Sequence, residues 1–548
     1  MNDQPVPFLD SVTRRSLLKR GGQGALVMSS AGVLLAGCGS SGDSKTTTTT
    51  DTTKPVRGGT LTVGMITGGV AETLNTLVPV ANVDGMRCLQ LFDPLVGYEA
   101  NDANTGVVLV PALATKWEPN ATATVWTLTL RDGVTFHNGA AFSADDVVYT
   151  FGLWSDPATV PGASLAGVVD FKGVKKVDSL TVSIPLLVPL AEFPSMLSFS
   201  ASGIVQKGTT AKDLSTKPIG TGPFMFKSFV PGKRSEFVRN PNWWKPGLPY
   251  LDTLIVDSSF KDETARKNAL LGGQIDASGS LPPDVAKELQ SSSQVKLLRS
   301  PGATASYMFM RVDKAPFRDV RVRQAMQLIA DRPQLVANAQ SGFATIGNDL
   351  LGLGCEFFAG GLKRAQDIEK AKSLLKAAGQ EGLKVKLQTS DAAPPGAIAS
   401  ATLYAQQAKA AGVTVIVDEV SPDSYYTPAG GFLTRTFGYE LISTLPSLTL
   451  FYRLVTTASA PYNDSHWGTT PETKPSDALF KQAAAAVDPT KAKELWSEVQ
   501  QQQFEMGPYI VYANADNLDA VAPNVHGVPA TFAGPMNYWK LYNAFITN

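Results

Sequence analysis

Three histidines, three cysteines and one adjacent pair of aspartates are the residues whose types could carry chemistry. A metal centre needs such donors at close spacing, and nucleophilic catalysis needs a Ser, Thr or Cys beside a base. His137, His466 and His526 stand far apart in the chain, and a lone histidine is more often a hydrogen-bonded structural residue. Asp145-Asp146 opens a helical pattern, where cap and dipole roles account for both carboxylates. HExxH, CxxC, GxSxG and a phosphate-binding loop ending in Gly-Lys-Ser or Gly-Lys-Thr are all absent. Gly220-Thr221-Gly222 is followed by Met225 where a dinucleotide fingerprint needs a third glycine. These residues supply no catalytic constellation and little for a metal, so the chain is expected to be no enzyme and to use no cofactor.

Cys38 is different, because its neighbours point to a reaction. Leu35-Ala36-Gly37-Cys38 resembles the bacterial lipobox, in which a signal peptidase cuts before the cysteine and the thiol receives lipid. The alternative is a chance cysteine near a signal cleavage site. Upstream, Thr13-Arg14-Arg15-Ser16-Leu17-Leu18-Lys19 resembles a twin-arginine export motif, a route for proteins already folded. The weakly apolar stretch 24–36 is about half the length that spans a bilayer. Residues 39–55 are rich in Ser, Gly and Thr, cannot bury a core, and read as a flexible tether. The expected layout is a signal over 1–37 and a tether over 38–57, with the body held outside the cytoplasm by lipid on Cys38. For Cys88 and Cys355, a buried free thiol and a disulfide bridge both stay open.

The elements that would position such residues follow from length and pattern. A chain of 548 residues is too long for one ordinary domain. Hydrophobic residues at 43% and charged residues at 18% exclude a disordered or fibrous protein. The 48 Lys and Arg balance 48 Asp and Glu, so no basic surplus speaks for nucleic acid. Without the basic signal, the remainder would carry a net charge of roughly −2.

Strands are expected over 60–64, 125–130, 413–417 and 508–512, where apolar residues alternate or run together between turn signals. Helices are expected around 85–92 and 143–154, the latter opened by Ser143 and Asp146 at capping-box spacing. Asp367 and Asp488-Pro489 mark two further helix starts, and a helix over 397–411 ends at Gly412. Strands separated by helices of this length predict an α/β protein with largely buried sheets covered by helices.

Several segments together resemble the extracellular solute-binding proteins of family 5, the peptide- and nickel-type receptors of ABC transporters. The strongest runs from Pro111-Ala112-Leu113-Ala114 through Trp117, Trp126 and Leu130-Arg131-Asp132-Gly133-Val134-Thr135-Phe136-His137-Asn138-Gly139 to Ala144-Asp145-Asp146-Val147. Asn138 stands where the family more often has Asp. Pro218-Ile219-Gly220-Thr221-Gly222-Pro223-Phe224, Arg239-Asn240-Pro241-Asn242-Trp243-Trp244 and Leu270-Leu271-Gly272-Gly273-Gln274-Ile275-Asp276 follow in the family's order. So do Pro316-Phe317-Arg318-Asp319-Val320-Arg321-Val322-Arg323-Gln324-Ala325, Asp331-Arg332 and the stretch 371–379. Each match is weak alone; their order over 58–515 is what carries the resemblance.

The resemblance implies a two-lobed periplasmic-binding-protein-like α/β fold of class II, with a hinge of two crossing strands. Lobe I would be 58–298, with an inserted subdomain at about 95–217. Lobe II would be 299–514, and 515–548 would return to lobe I. It implies a monomeric, lipid-anchored subunit of an ABC importer that captures an oligopeptide or other small polar or amphipathic solute by hinge closure and hands it to membrane permease subunits. The alternative is a secreted enzyme or a non-transport peptide receptor or chaperone on the same fold.

Site residues are also implied only by the resemblance. Peptide-binding members often anchor the ligand's α-amino group with an aspartate shortly after a strand like Tyr439-Glu440-Leu441-Ile442. Here residues 443–463 contain no Asp or Glu, and hydroxyls alone, such as that of Thr444, leave a buried ammonium costly. This argues against a di- or tripeptide held in that way. Arg453 would pair with a ligand carboxylate or be structural. Arg311, where members commonly carry Asn, would line the cleft or form a local salt bridge. Tyr307, Phe451, Tyr452 and Trp467 would be aromatic cleft walls or core. Some members bind nickel or haem, but three scattered His make a direct nickel site a poor expectation.

Overall fold

The computed structural model describes residues 53–547 apart from 391, 423 and 428–430. The expected signal, Cys38 and the tether up to residue 52 lie outside the described residues.

Local sequence rules set the peripheral elements. In Val125–Leu130, Trp126, Leu128 and Leu130 are buried while Thr127 and Thr129 face out, the period-2 pattern of a half-buried strand. This strand joins Ala114–Pro119, Thr181–Pro185 and Lys175–Asp178 in an antiparallel sheet of four. Helix Ala144–Trp154 begins at Ser143, whose Oγ accepts from the Asp145 N–H while Asp146 Oδ2 accepts from the Ser143 N–H at 2.9 Å. Asp367 and Asp488 cap the helices Ile368–Ala377 and Pro489–Met506 through their side chains.

A mixed sheet of eleven strands among the described residues runs through the molecule. On one side stand Thr414–Glu419, Lys384–Thr389 and Phe437–Ile442. On the other stand Ala277–Ser278, Thr60–Ile66, Thr253–Phe260, Arg234–Arg239 and Phe224–Val230. Two long antiparallel strands, Lys296–Met310 and Tyr509–Val521, join the two groups and pair with each other along most of their length, and the eleventh strand, Ala344–Ile346, pairs with the second of them. The second outruns the stretch 508–512 that its pattern suggested. It is buried on both faces for most of its course, so no alternation marks its continuation.

The ladder between these strands shifts register twice, the second time between Ser306 and Tyr307. The first shift lies between Ser300 and Thr304. Pro301 there has no N–H to donate. A Cβ on Gly302 would lie 2.2 Å from the Ala515 carbonyl oxygen, so the backbones approach this closely only at glycine.

The cores divide in the same way. One buried cluster, around Phe317, Met326, Leu387, Tyr404 and Phe437, draws wholly on residues 308–513. Another is built on Leu61, Val63, Phe151, Trp154 and Val256, and takes in Phe451, Tyr452, Phe480 and Trp496 from the later half. The two halves therefore touch away from the crossing strands as well. There the Ala191 N–H donates to the Ala484 carbonyl at 2.7 Å, and the Ser195 and Ser447 hydroxyls lie 2.8 Å apart. Cys88 and Cys355 are both buried free thiols, near the Leu74 and Leu445 carbonyls respectively, and are not bridged. Among the described residues no helix is long and apolar enough to cross a membrane.

Candidate ligand-binding cleft

A cavity of about 390 Å³ opens beside the crossing strands, between the two halves. That volume suits a small molecule. Its floor is Thr304, Ser306, Tyr307 and Phe309 of Lys296–Met310. The wall from the earlier half is Asn82, Met86 and Leu89 of helix Asn82–Leu91, with Tyr98 and Phe199. The C-terminal segment adds Tyr538 and Trp539 to that wall from a turn held in left-handed backbone. Asp519 supports the turn by accepting the Met536 N–H at 2.7 Å. The opposite wall is Phe432, Arg435, Glu440, Thr444, Tyr462 and Asp464.

The polar groups concentrate on that opposite wall. The Tyr307 hydroxyl donates to Asp464 Oδ2 at 3.2 Å, and its ring meets Tyr509 edge-on at 5.0 Å. Asp464 is 3% exposed, and its Oδ1 has no hydrogen-bond partner. Burial pushes its carboxyl up to about 7, against the lowering pull of the Tyr307 hydrogen bond. Arg435 is 2% exposed; one Nη donates to the Tyr425 carbonyl, and the guanidinium lies 3.6 Å from the Tyr425 ring centroid. Its other Nη lies 3.6 Å from Glu440 Oε1. The Thr444 Oγ1 is buried with no hydrogen-bond partner.

Of the residues proposed from sequence, Tyr307 and Thr444 border the cavity. The other five sit elsewhere, for identifiable reasons. Arg311 grips Asp313 with two nitrogens, at 2.9 and 2.6 Å, and donates to the Thr434 carbonyl. The local salt bridge is thus the alternative realised. Tyr452 packs in the core, its hydroxyl on Gln503 Oε1 at 2.6 Å and its ring stacked on Phe480. Phe451 is fully buried in the same cluster. Trp467 is buried, and its carbonyl accepts from Asn463 at 2.8 Å. Arg453 lies outside the cavity lining, and burial lowers its pKa.

His137 and the glycine motif hold each other in place. His137 Nδ1 accepts from the Gly220 N–H at 3.2 Å, and its Nε2 lies 3.1 Å from the Gly222 carbonyl. Burial lowers its pKa to about 4, so the ring is neutral at pH 7 and Nε2–H donates. The ring thereby pins Gly220-Thr221-Gly222 against the end of helix Asn82–Leu91. A Cβ at Gly220 would lie 2.0 Å from the Leu91 carbonyl.

The model of the bacterial extracellular solute-binding proteins, family 5 Middle, matches residues 108–439. The chain belongs to that family. A glutathione-binding protein of Pectobacterium atrosepticum is 30% identical over 316 residues, covering 53% of this chain and 59% of the relative. A dipeptide-binding protein of Escherichia coli is 27% identical, covering 76% of this chain and 83% of the relative. The chain thus aligns with less than two thirds of the first relative's length and with most of the second's. The substrate-binding protein CtaP of Listeria monocytogenes superposes with a TM-score of 0.78 at 22% identity, covering 90% of this chain and all of that one. The fold is accordingly the two-lobed α/β fold of family-5 binding proteins, with Lys296–Met310 and Tyr509–Val521 as the strands that cross between lobes.

Proposed function

We propose that this family-5 protein is the extracytoplasmic substrate-binding subunit of an ABC importer. It captures a small solute, an oligopeptide or another small polar or amphipathic molecule, by closing two lobes about the crossing strands. The observation that carries this reading is the cavity of about 390 Å³ lined from both halves beside those strands. Lobe I comprises 58–298 with its insertion at about 95–217, lobe II comprises 299–514, and 515–548 returns to lobe I. The wider of the two breaks in the shared ladder, at Pro301-Gly302 beside the Ala515 carbonyl, is a natural place for bending.

The subunit acts as a monomer that delivers its solute to permease subunits in the membrane, and it carries out no catalysis. Export follows the twin-arginine signal over 1–37, and lipid on Cys38 with the tether over 38–57 holds the body at the membrane. Cys38→Ala is expected to move the protein from the membrane fraction to the soluble extracytoplasmic fraction; full retention on the membrane would sink the anchor.

Function is tested by mass spectrometry of solute extracted from the purified full chain, followed by adding that solute back. A solute at a hundred times its dissociation constant should stabilise the chain by about 2.7 kcal/mol and raise its melting temperature. Turnover of the solute, abolished by one substitution in the cleft, would favour the enzyme alternative instead.

A further inference from the structure

Four successive residues beside the cleft stand in left-handed backbone, and none is glycine. Met536, Asn537, Tyr538 and Trp539 have φ of 46°, 55°, 55° and 59°. That conformation drives Cβ towards the following carbonyl oxygen, so residues with side chains adopt it singly and seldom in a run. Such a run persists only where its surroundings over-determine it, and strain of this kind gathers at ligand clamps and switches. Asp519 Oδ2 accepts the Met536 N–H, and Asn537 Oδ1 accepts from the Thr531 hydroxyl at 3.1 Å. Gln90 Nε2 donates to the Trp539 carbonyl at 2.8 Å, and the Tyr538 and Tyr98 ring centroids lie 4.4 Å apart.

Asp519 does more than hold this turn. It lies in the crossing strand Tyr509–Val521, is 2% exposed, and its Oδ1 accepts the Ser280 N–H at 3.0 Å. Ser280 is itself left-handed, at φ 55°, and lines the same cavity. Arg266 fixes the residue before it by donating to the Gly279 carbonyl at 3.0 Å. A Cβ on Gly279 would lie 2.7 Å from the Trp539 ring, so the indole rests directly on this backbone. One buried carboxylate thus ties together two left-handed segments of the cavity wall, and Trp539 belongs to one and packs on the other. Met86, Leu89 and Phe199 stand on the same wall, across from Arg435, Glu440 and Asp464.

We propose that Asp519 is a positioning residue of the cleft, holding both segments so that Tyr538 and Trp539 receive the apolar part of the solute. This rests on the solute-binding reading above. The gain in affinity comes from apolar area buried against two aromatic rings that are already in place when the solute arrives.

The test uses the full chain and two pools of compounds, read by thermal shift. The first holds di- and tripeptides with Leu, Phe or Trp side chains. The second holds matched Gly, Ser and Asn peptides and neutral sugars. The first pool should raise the melting temperature more than the second, and its compound with the largest shift becomes the probe. The amide in Asp519→Asn keeps one acceptor oxygen for two N–H groups. That variant should bind the probe roughly tenfold more weakly. Adding Asn537→Gly, which takes left-handed backbone freely, should recover about threefold of the loss. Trp539 emission, isolated by subtracting Trp539→Phe in each background, should shift to the red in Asp519→Asn without probe. A residue that served stability alone would give neither the rescue nor the shift.

Unchanged affinity, unchanged Trp539 emission or no rescue overturns the positioning role. A second-pool shift equal to or above the first overturns the apolar assignment and leaves solute binding standing. No shift from either pool overturns the proposal together with the solute-binding reading. Should Asp519→Asn fail to fold, hydrogen exchange of the unsubstituted chain decides. Peptides covering 279–283 and 534–540 should gain protection together when probe is added, and a gain in one alone or in neither overturns the role.

Discussion

Asp464 couples pH to stability. Burial raises its carboxyl from the usual range to about 7, so the empty folded protein holds that proton more tightly than the unfolded chain does. Stability therefore falls as pH rises between the ordinary carboxylate range and about 7, and the full penalty is present above it. Asp464→Asn removes the penalty. Without ligand, the variant should melt higher than the unsubstituted chain at pH 8, with the difference shrinking towards pH 5. A variant that melts lower at pH 8 would mean that the carboxylate is satisfied in the empty protein. Sequence reading reached Tyr307 and Thr444 because both lie in or beside stretches where this chain departs from the family's pattern. It did not reach Asp464, Arg435 or Trp539. Their chemistry depends on loops and a C-terminal turn brought together by the fold, and no spacing in the chain encodes that. For Arg453 a pairing with a ligand carboxylate stayed open, and for Arg311 a place in the cleft, because sequence alone shows neither the burial around the one nor the grip of the other on Asp313.

Elements were more legible than the site, since capping and periodicity are local. Ser143, Asp367 and Asp488 each cap the helix that their spacing announced. The length of Tyr509–Val521 was not legible, because a strand buried on both faces shows no period. Nor was the contact between 191–195 and 447–449, which joins residues about 250 positions apart. Its core is Glu192. Glu192 Oε2 accepts from the Thr449 N–H at 3.2 Å and from the Thr449 hydroxyl, while Ser447 Oγ caps the same turn by accepting from the Leu450 N–H. Glu192→Ala removes the acceptor for both Thr449 donors and should destabilise the chain by about 1–3 kcal/mol in urea unfolding. Glu192→Gln keeps an acceptor and should cost less. Equal loss in both variants would show that the charge, and not the acceptor, is what matters there.

At the scale of the whole molecule, the same contact is one of those that opening must break, along with the Val107 N–H on the Gly354 carbonyl at 3.0 Å. Two lobes joined by two strands can separate only if every other bridge between them lets go. The bridges at 191–195 are few: one backbone hydrogen bond, the Glu192 pair and the Ser195–Ser447 hydroxyls. Cysteines at 195 and 447 would stand where two hydroxyls now lie 2.8 Å apart, so their side chains would face each other across the contact. The free Cys355 donates to the Leu445 carbonyl nearby, so the test belongs in a Cys355→Ala background to prevent mispairing. Oxidised Ser195→Cys/Ser447→Cys should neither admit solute when prepared empty nor release it when prepared loaded, and reduction should restore both rates. Exchange kinetics of a fluorescent or isotopically labelled solute measure this directly. If the oxidised protein exchanged solute as fast as the reduced one, opening would have to occur without separation at 195 and 447. Closure would then be a movement of loops over the cavity, not a rotation of lobes about Lys296–Met310 and Tyr509–Val521.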